Sequence, residues 1–199
     1  MPIWRRYSFL KRNAALSRDA FSTHYEQVHG PLAAGLEGFR KFATAYRQNH
    51  VEGDGDHGFD GLTITTQSHR EDYSKGFFNH SDYAKVQPDE QYLFDVGKTV
   101  SVLGTEEPEI DGPRTRWKVL MLADAVPSGA RGLTRLVRNA LDLGSASALG
   151  FGGASFDHGT LWELWFDSAQ SRERFVAQVE GASIAAPVRE VHVYGPETA

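Results

Sequence analysis

Cysteine is absent from the 199 residues. That excludes disulfides, thiolate nucleophiles, iron–sulfur clusters and thiolate zinc sites, and it fits a reducing compartment. Positive charge is in deficit. The 21 lysines and arginines face 26 aspartates and glutamates, a net charge of −5 with histidine neutral. An acidic chain has no global electrostatic reason to bind nucleic acid. Its one basic cluster, Arg5, Arg6, Lys11 and Arg12, reads as a solvated strand end. Long apolar runs are missing, and no window approaches the roughly 18 residues of a membrane span. The opening residues, Met1 to Arg6, hold no apolar stretch of signal-peptide length, so a cytoplasmic location without membrane partners is expected. No GxGxxG follows a strand, and there is no P-loop, GxSxG or HExxH. No cofactor is expected on these grounds.

What is present suits a packed core: hydrophobic residues make up 40% and aromatics 12%. Residues 3–11 read as a strand, with Tyr7 and Phe9 on one face and Trp4 and Leu10 on the other. Ser17 is a plausible N-cap for a helix reaching Leu36. Its stripe is Phe21, Tyr25, Val28, Leu32 and Leu36, and Pro31 should kink or break it near Gly30. Strands are predicted over 39–51 and 59–66, a broken helical stretch over 70–95, and a strand over 96–104. The stretch 105–114, with two prolines and no apolar run, reads as a linker. The second half then predicts strand 116–123, helix 130–143, strand 148–155, strand 160–166, a helix capped by Ser168 to about residue 180, and strand 188–194.

Each half therefore reads strand, helix, strand, strand, helix, strand, the ferredoxin-like pattern. The expected fold class is α+β: two tandem ferredoxin-like (βαββαβ) halves, residues 1–105 and 115–199, forming an α+β barrel. Two such sheets packed face to face would enclose a shared interior.

Candidate chemistry lies at a few positions. His24, Tyr25 and His29 sit on the first helix, with Tyr25 and His29 four residues apart on nearly one side. His29 precedes the proline break, so it reads either as a functional imidazole or as a helix-end residue bonded to a carbonyl. The five-residue spacing of His24 and His29 puts them on different sides of a helix, and no carboxylate joins them at ligand spacing. No metal site is expected. Asn49 and His50 end a strand, a common place for polar pocket residues. Lys118, Glu163 and His192 fall on strands expected to be central. Glu163, between Trp162 and Leu164, reads either as a general acid or base or as the partner of Lys118.

The segments Tyr7 to Arg12 and Leu16 to Phe21, followed by His24-Tyr25 and His29-Gly30-Pro31-Leu32, resemble the EthD family, named from ethyl tert-butyl ether degradation. Tyr46 to Val51, Phe59-Asp60-Gly61, Asp89-Glu90 and Phe94-Asp95 resemble its later segments, so the resemblance covers about residues 3 to 104. It implies a dimeric α+β barrel. The wider superfamily includes cofactor-independent monooxygenases, polyketide cyclases, dehydratases, muconolactone isomerases and haem-dependent peroxidases. The resemblance makes His29 the natural active-site candidate. It implies a homodimer, although a second half could supply the second sheet within one chain. The second half lacks the histidine–proline–leucine motif.

The resulting expectation is a tailoring or degradation enzyme, a dehydratase, isomerase or cofactor-independent oxygenase, acting on a hydrophobic or aromatic small molecule. His29 would be the acid/base, with His50 as a second catalytic group; Tyr7, Phe21, Tyr25 and Asn49 would bind substrate. The alternatives are a ligand-binding module without catalysis and a haem-binding barrel using His158 or His192.

Overall fold

The computed structural model describes residues 3–148, 157–179 and 184–196. Eight antiparallel strands close into a barrel: β1 (Trp4–Leu10), β2 (Ala45–Val51), β3 (Gly61–Gln67), β4 (Val100–Ile110), β5 (Trp117–Leu122), β6 (Leu133–Asp142), β7 (Thr160–Phe166) and β8 (Ile184–Tyr194). Around the barrel they run β1-β3-β2-β8-β5-β7-β6-β4. Within the first four strands the order is fourth, first, third, second, and the last four repeat it. The two sets join where β2 pairs with β8 and β4 with β6. Closure leaves no open sheet edge.

Helices cover the outside. On the first set lie α1 (Arg18–His24), a π-helical turn (Tyr25–His29), α2 (Gly30–Gly35), α3 (Glu37–Phe42) and α4 (Tyr83–Leu93). On the second set lies α5 (Ala169–Val179), whose Phe175 and Val179 pack on Val119, Leu164 and Phe166. The alternation of each strand separates two environments. Tyr7, Leu62, Ile64, Val102 and Leu120 fill the barrel, whereas Leu10, Phe21, Tyr25 and Phe94 pack in the helix layer.

Three expectations change. Residues 130–143 are not a helix but mostly β6, so β5 and β6 have no helix between them. The stripe Leu133, Leu136, Val137, Ala140, Leu141 suits a helix, but the true period is two. Arg135, Val137, Asn139 and Leu141 are buried along one face, and two of these four are polar. That polar interior masked the strand. The stretch 105–114 is not a free linker. β4 continues to Ile110, pairing with β1 over Val100–Thr105 and with β6 over Leu103–Ile110. Residues 39–51 begin as α3, and the strand starts only at Ala45. The strand expected over 148–155 lies, beyond Ala148, outside the described residues; Ala148 itself ends a short 3-10 turn, Leu143–Ala148.

Pro31 acts differently from a simple break. The helix widens into a π-turn just before it, where the Gly30 N–H donates to the Tyr25 carbonyl five residues back, and Pro31 occupies the first turn of α2. A π-turn adds about one residue to a helical turn. The inward stripe shifts accordingly: His29 is 6% exposed while Val28, expected inside, is 45% exposed.

Candidate functional site

The π-turn swings His29 towards the outer face of the sheet, where α4 meets it. His29 Nδ1 lies 2.8 Å from Asp89 Oδ2, and His24 Nε2 lies 2.6 Å from Asp89 Oδ1. One carboxylate on α4 thus joins two histidines that linear spacing had kept apart. Burial works to raise the Asp89 pKa, but the hydrogen bonds from His29 and His24 outweigh it and hold the carboxyl below its ordinary value. An ionised Asp89 accepts from both rings, so in the neutral form of His29 the proton sits on Nδ1 and the lone pair on Nε2. Half-buried His24, with a side chain 24% exposed, forms the outer end of the trio.

His29 lines a small cavity between helices and sheet, of about 40 Å3, with Arg6, Tyr46, Phe77, Glu90 and Phe94 among its walls. Burial raises the Glu90 pKa against the opposing influence of His29 and of Tyr83, whose hydroxyl donates to Oε2 at 2.9 Å. Arg6 Nη2 donates to Ser101 Oγ at 3.0 Å at the floor. The cavity therefore gathers a histidine, a half-buried carboxyl and a guanidinium against aromatic walls. Among the described residues no group of three or more histidines, cysteines or carboxylates is arranged to hold a metal ion.

Phe21 stacks on Tyr25 with ring centroids 5.5 Å apart, and the Tyr25 hydroxyl bonds Thr63 Oγ1 at 2.6 Å. Both belong to the helix layer around His29. His50 lies in that layer but not on the cavity wall. Gln48 Nε2 donates to the Tyr25 carbonyl and to the Tyr46 hydroxyl, both at 2.8 Å, which fixes its amide. Gln48 Oε1 then accepts from His50 Nε2 at 3.2 Å, and His50 Nδ1 accepts from Ser22 Oγ at 2.8 Å. Burial, aided by the charge of Arg189, pushes the His50 pKa down to about 4, so this ring is neutral at pH 7.

Tyr7 and Asn49 lie across the sheet, inside the barrel. The Tyr7 hydroxyl donates to Asn139 Oδ1 at 2.7 Å, and Asn49 Oδ1 accepts from Lys118 at 2.7 Å. They belong to a polar end of the barrel where Lys118 Nζ meets Glu163 Oε2 at 2.6 Å and also bonds Glu190. Burial would raise the Glu163 pKa, but Lys118, Arg47 and Arg114 hold it well below the ordinary range. His192, expected with Lys118 and Glu163, is exposed and bonds the Gly195 carbonyl. His158 lines a separate cleft of about 240 Å3 at the opposite barrel end.

Sequence reasoning gave Asp89 and Glu90 no role, although the acidic pair was visible. It also missed Gln48, Arg47, Arg114 and Glu190, which carry no local signature and meet only through strand pairing.

The helix layer that holds His29, Asp89 and Phe94 coincides with a recognisable module. Residues 13–97 match the EthD domain. The matched stretch spans α1 to α4, β2 and β3, and with them every wall residue named above except Arg6. Beyond it, the whole chain shares its fold with a candidate monooxygenase from Fusobacterium nucleatum subsp. nucleatum, at 8% identity and a TM-score of 0.53, over 97% of this chain and 93% of that one. A candidate monooxygenase from Lactobacillus acidophilus aligns at 9% identity and a TM-score of 0.47, over 95% and 93% of the two chains. A mutant chlorite dismutase from Candidatus Nitrospira defluvii, in complex with cyanide, aligns at 9% and 0.45, over 94% and 90%. No curated protein matches the sequence.

Proposed function

We propose that the chain is a small-molecule enzyme in which His29 exchanges a proton with a hydrophobic, aromatic or polyketide-like substrate. The reaction class is dehydration, isomerisation or cofactor-independent oxygenation. The observation that carries this reading is the pairing of a buried His29 with Asp89 at 2.8 Å beside a cavity. Asp89 holds the Nδ1 proton and stabilises the imidazolium, which frees Nε2 to take a proton from an acidic carbon. His24, on the other carboxylate oxygen, leads the proton towards solvent. The electron pair left on the substrate becomes an enolate, and Arg6 in the same cavity supplies the stabilising donor. His50, Phe21 and Tyr25 hold the layer in place; Tyr7 and Asn49 belong to the barrel end.

The cavity of about 40 Å3 is small beside the roughly 300–1,000 Å3 of typical ligand pockets. Substrate therefore enters by displacing aromatic walls, of which Phe77 and Phe78 come from the short turns before α4.

For the wider architecture, the repeated strand order supports two tandem ferredoxin-like halves, residues 1–105 and 115–199, the second keeping only α5. Because one chain closes the barrel, a homodimer would not form it by sheet pairing between chains. A cytoplasmic location remains part of this proposal.

The test is turnover of a panel of anthrones and hydroxyquinones by wild type and His29→Gln. A loss of about 10²–10⁴-fold in kcat is expected. Full turnover by the variant on a substrate that wild type converts ends the assignment. A stoichiometric spectral shift without product favours a binding module instead.

A further inference from the structure

On the far side of β2 from His29, the polar end of the barrel opens to the surface in a cleft of about 280 Å3. Its walls carry Arg47, Arg114, Arg116, Arg189, Glu190 and His192. Four arginines and one carboxylate converge there, in a chain whose net charge is −5. The surroundings do not neutralise them. At the barrel end Arg5, Arg47, Arg114, Lys118 and Arg135 face Glu106, Glu163, Glu190 and Asp111, so cations outnumber carboxylates even inside. Glu190 is shared among Arg47, Arg114 and Lys118.

At the rim, Arg189 pairs with Glu26 at 2.5 Å. Arg116 makes no ion pair among the described residues; its guanidinium lies over the Trp117 ring, 4.1 Å from the centroid. Deeper in, Arg47 is 8% exposed, and its Nη2 makes no hydrogen bond, with a Glu106 oxygen 3.8 Å away. Arg114 Nε is also buried without a partner. A buried guanidinium nitrogen left without an acceptor is costly, and planar oxyanions match the guanidinium fork. Burial, then the like charge of Arg47, lowers the Arg114 pKa against the pull of Glu163 and Glu190, whereas Glu163, Glu190 and Glu106 raise that of Arg47 against its burial.

We infer that this cleft is a binding site for a small oxyanion, a carboxylate or phosphate borne by a compact molecule, held by Arg114 and Arg116 over the buried Arg47. The site is separate from the His29 cavity, since the sheet stands between them.

The experiment is calorimetric titration of the full chain at low ionic strength with inorganic phosphate and, separately, with benzoate. The comparison is wild type against R116Q/R189Q, with K75Q/K98Q as a control that removes equal charge from exposed positions. Saturable binding of either anion is expected, weakened at least about tenfold in R116Q/R189Q and unchanged in the control. The arm that responds separates carboxylate from phosphate. No saturable binding of either anion up to about 10 mM overturns the proposal. So does equal weakening in the two double variants, which would reflect net charge alone. If R116Q/R189Q does not fold, R116Q alone decides in the same way, because its side chain makes no ion pair.

Discussion

Lys118 Nζ lies 2.6 Å from Glu163 Oε2, and neither side chain has any exposed surface. Removing one partner strands the other charge in the barrel, so Lys118→Met should cost about 3–5 kcal/mol. Lys118→Met combined with Glu163→Leu should cost clearly less than the sum of the two single changes. Urea unfolding of the three variants measures this. Strict additivity would show that the two groups are not coupled.

His50 gives a pH signature. Its folded pKa of about 4 lies below the ordinary value of 6.5. Between those values the unfolded chain binds the proton and the folded chain does not. Stability is therefore fully present above about pH 6.5 and is lost as pH falls towards 4, by up to about 3 kcal/mol. Urea unfolding at pH 7 and pH 4.5 should show less loss in His50→Gln than in wild type. Equal slopes in both proteins would rule the assignment out.

Gly30 is required by crowding. A Cβ built there would sit 2.9 Å from Gln48 Nε2, which is held by hydrogen bonds to Tyr25 and Tyr46. Gly30→Ala should destabilise by about 1–2 kcal/mol despite alanine's better helix propensity. Thermal melting decides; a raised melting temperature would mean that Gln48 yields freely.

Asp89 and His24 should separate kinetically. Asp89→Asn removes the anion that holds the His29 Nδ1 proton, and kcat should fall about 10²-fold or more with KM little changed. His24→Gln leaves that bond intact and should lower kcat less, with partial rescue by a small exogenous buffer base such as imidazole. An Asp89→Asn enzyme with wild-type kcat and pH profile would detach Asp89 from the chemistry.

Part of this was readable in the chain. The strand at Thr160–Phe166 agrees with its predicted bounds, and Ser17 caps α1 by accepting from the Ala20 N–H. Such features are local: a period of two or a hydroxyl three residues from an amide acts over a few positions. The Lys118–Glu163 pairing was also among the readings, because a carboxylate in an apolar strand demands a partner. The strand β6 was not legible, since Arg135 and Asn139 point inward and break the apolar alternation that marks a strand. The inward turn of His29 was not legible either. It depends on one extra residue in the π-turn, and a helical stripe counted at 3.6 residues per turn selects Val28 instead.

By itself the sequence determined the element types of most segments and the residues able to carry protons, because side-chain chemistry and short-range periodicity are written residue by residue. Only the tertiary structure decided which of those residues meet. Closing eight strands into one barrel set Tyr46 facing the His29 cavity and its neighbour Arg47 facing the barrel end. It also brought Asp89 to two histidines 60 and 65 positions away in the chain. Distances across a sheet follow from register and closure, and no local stretch of chain encodes either.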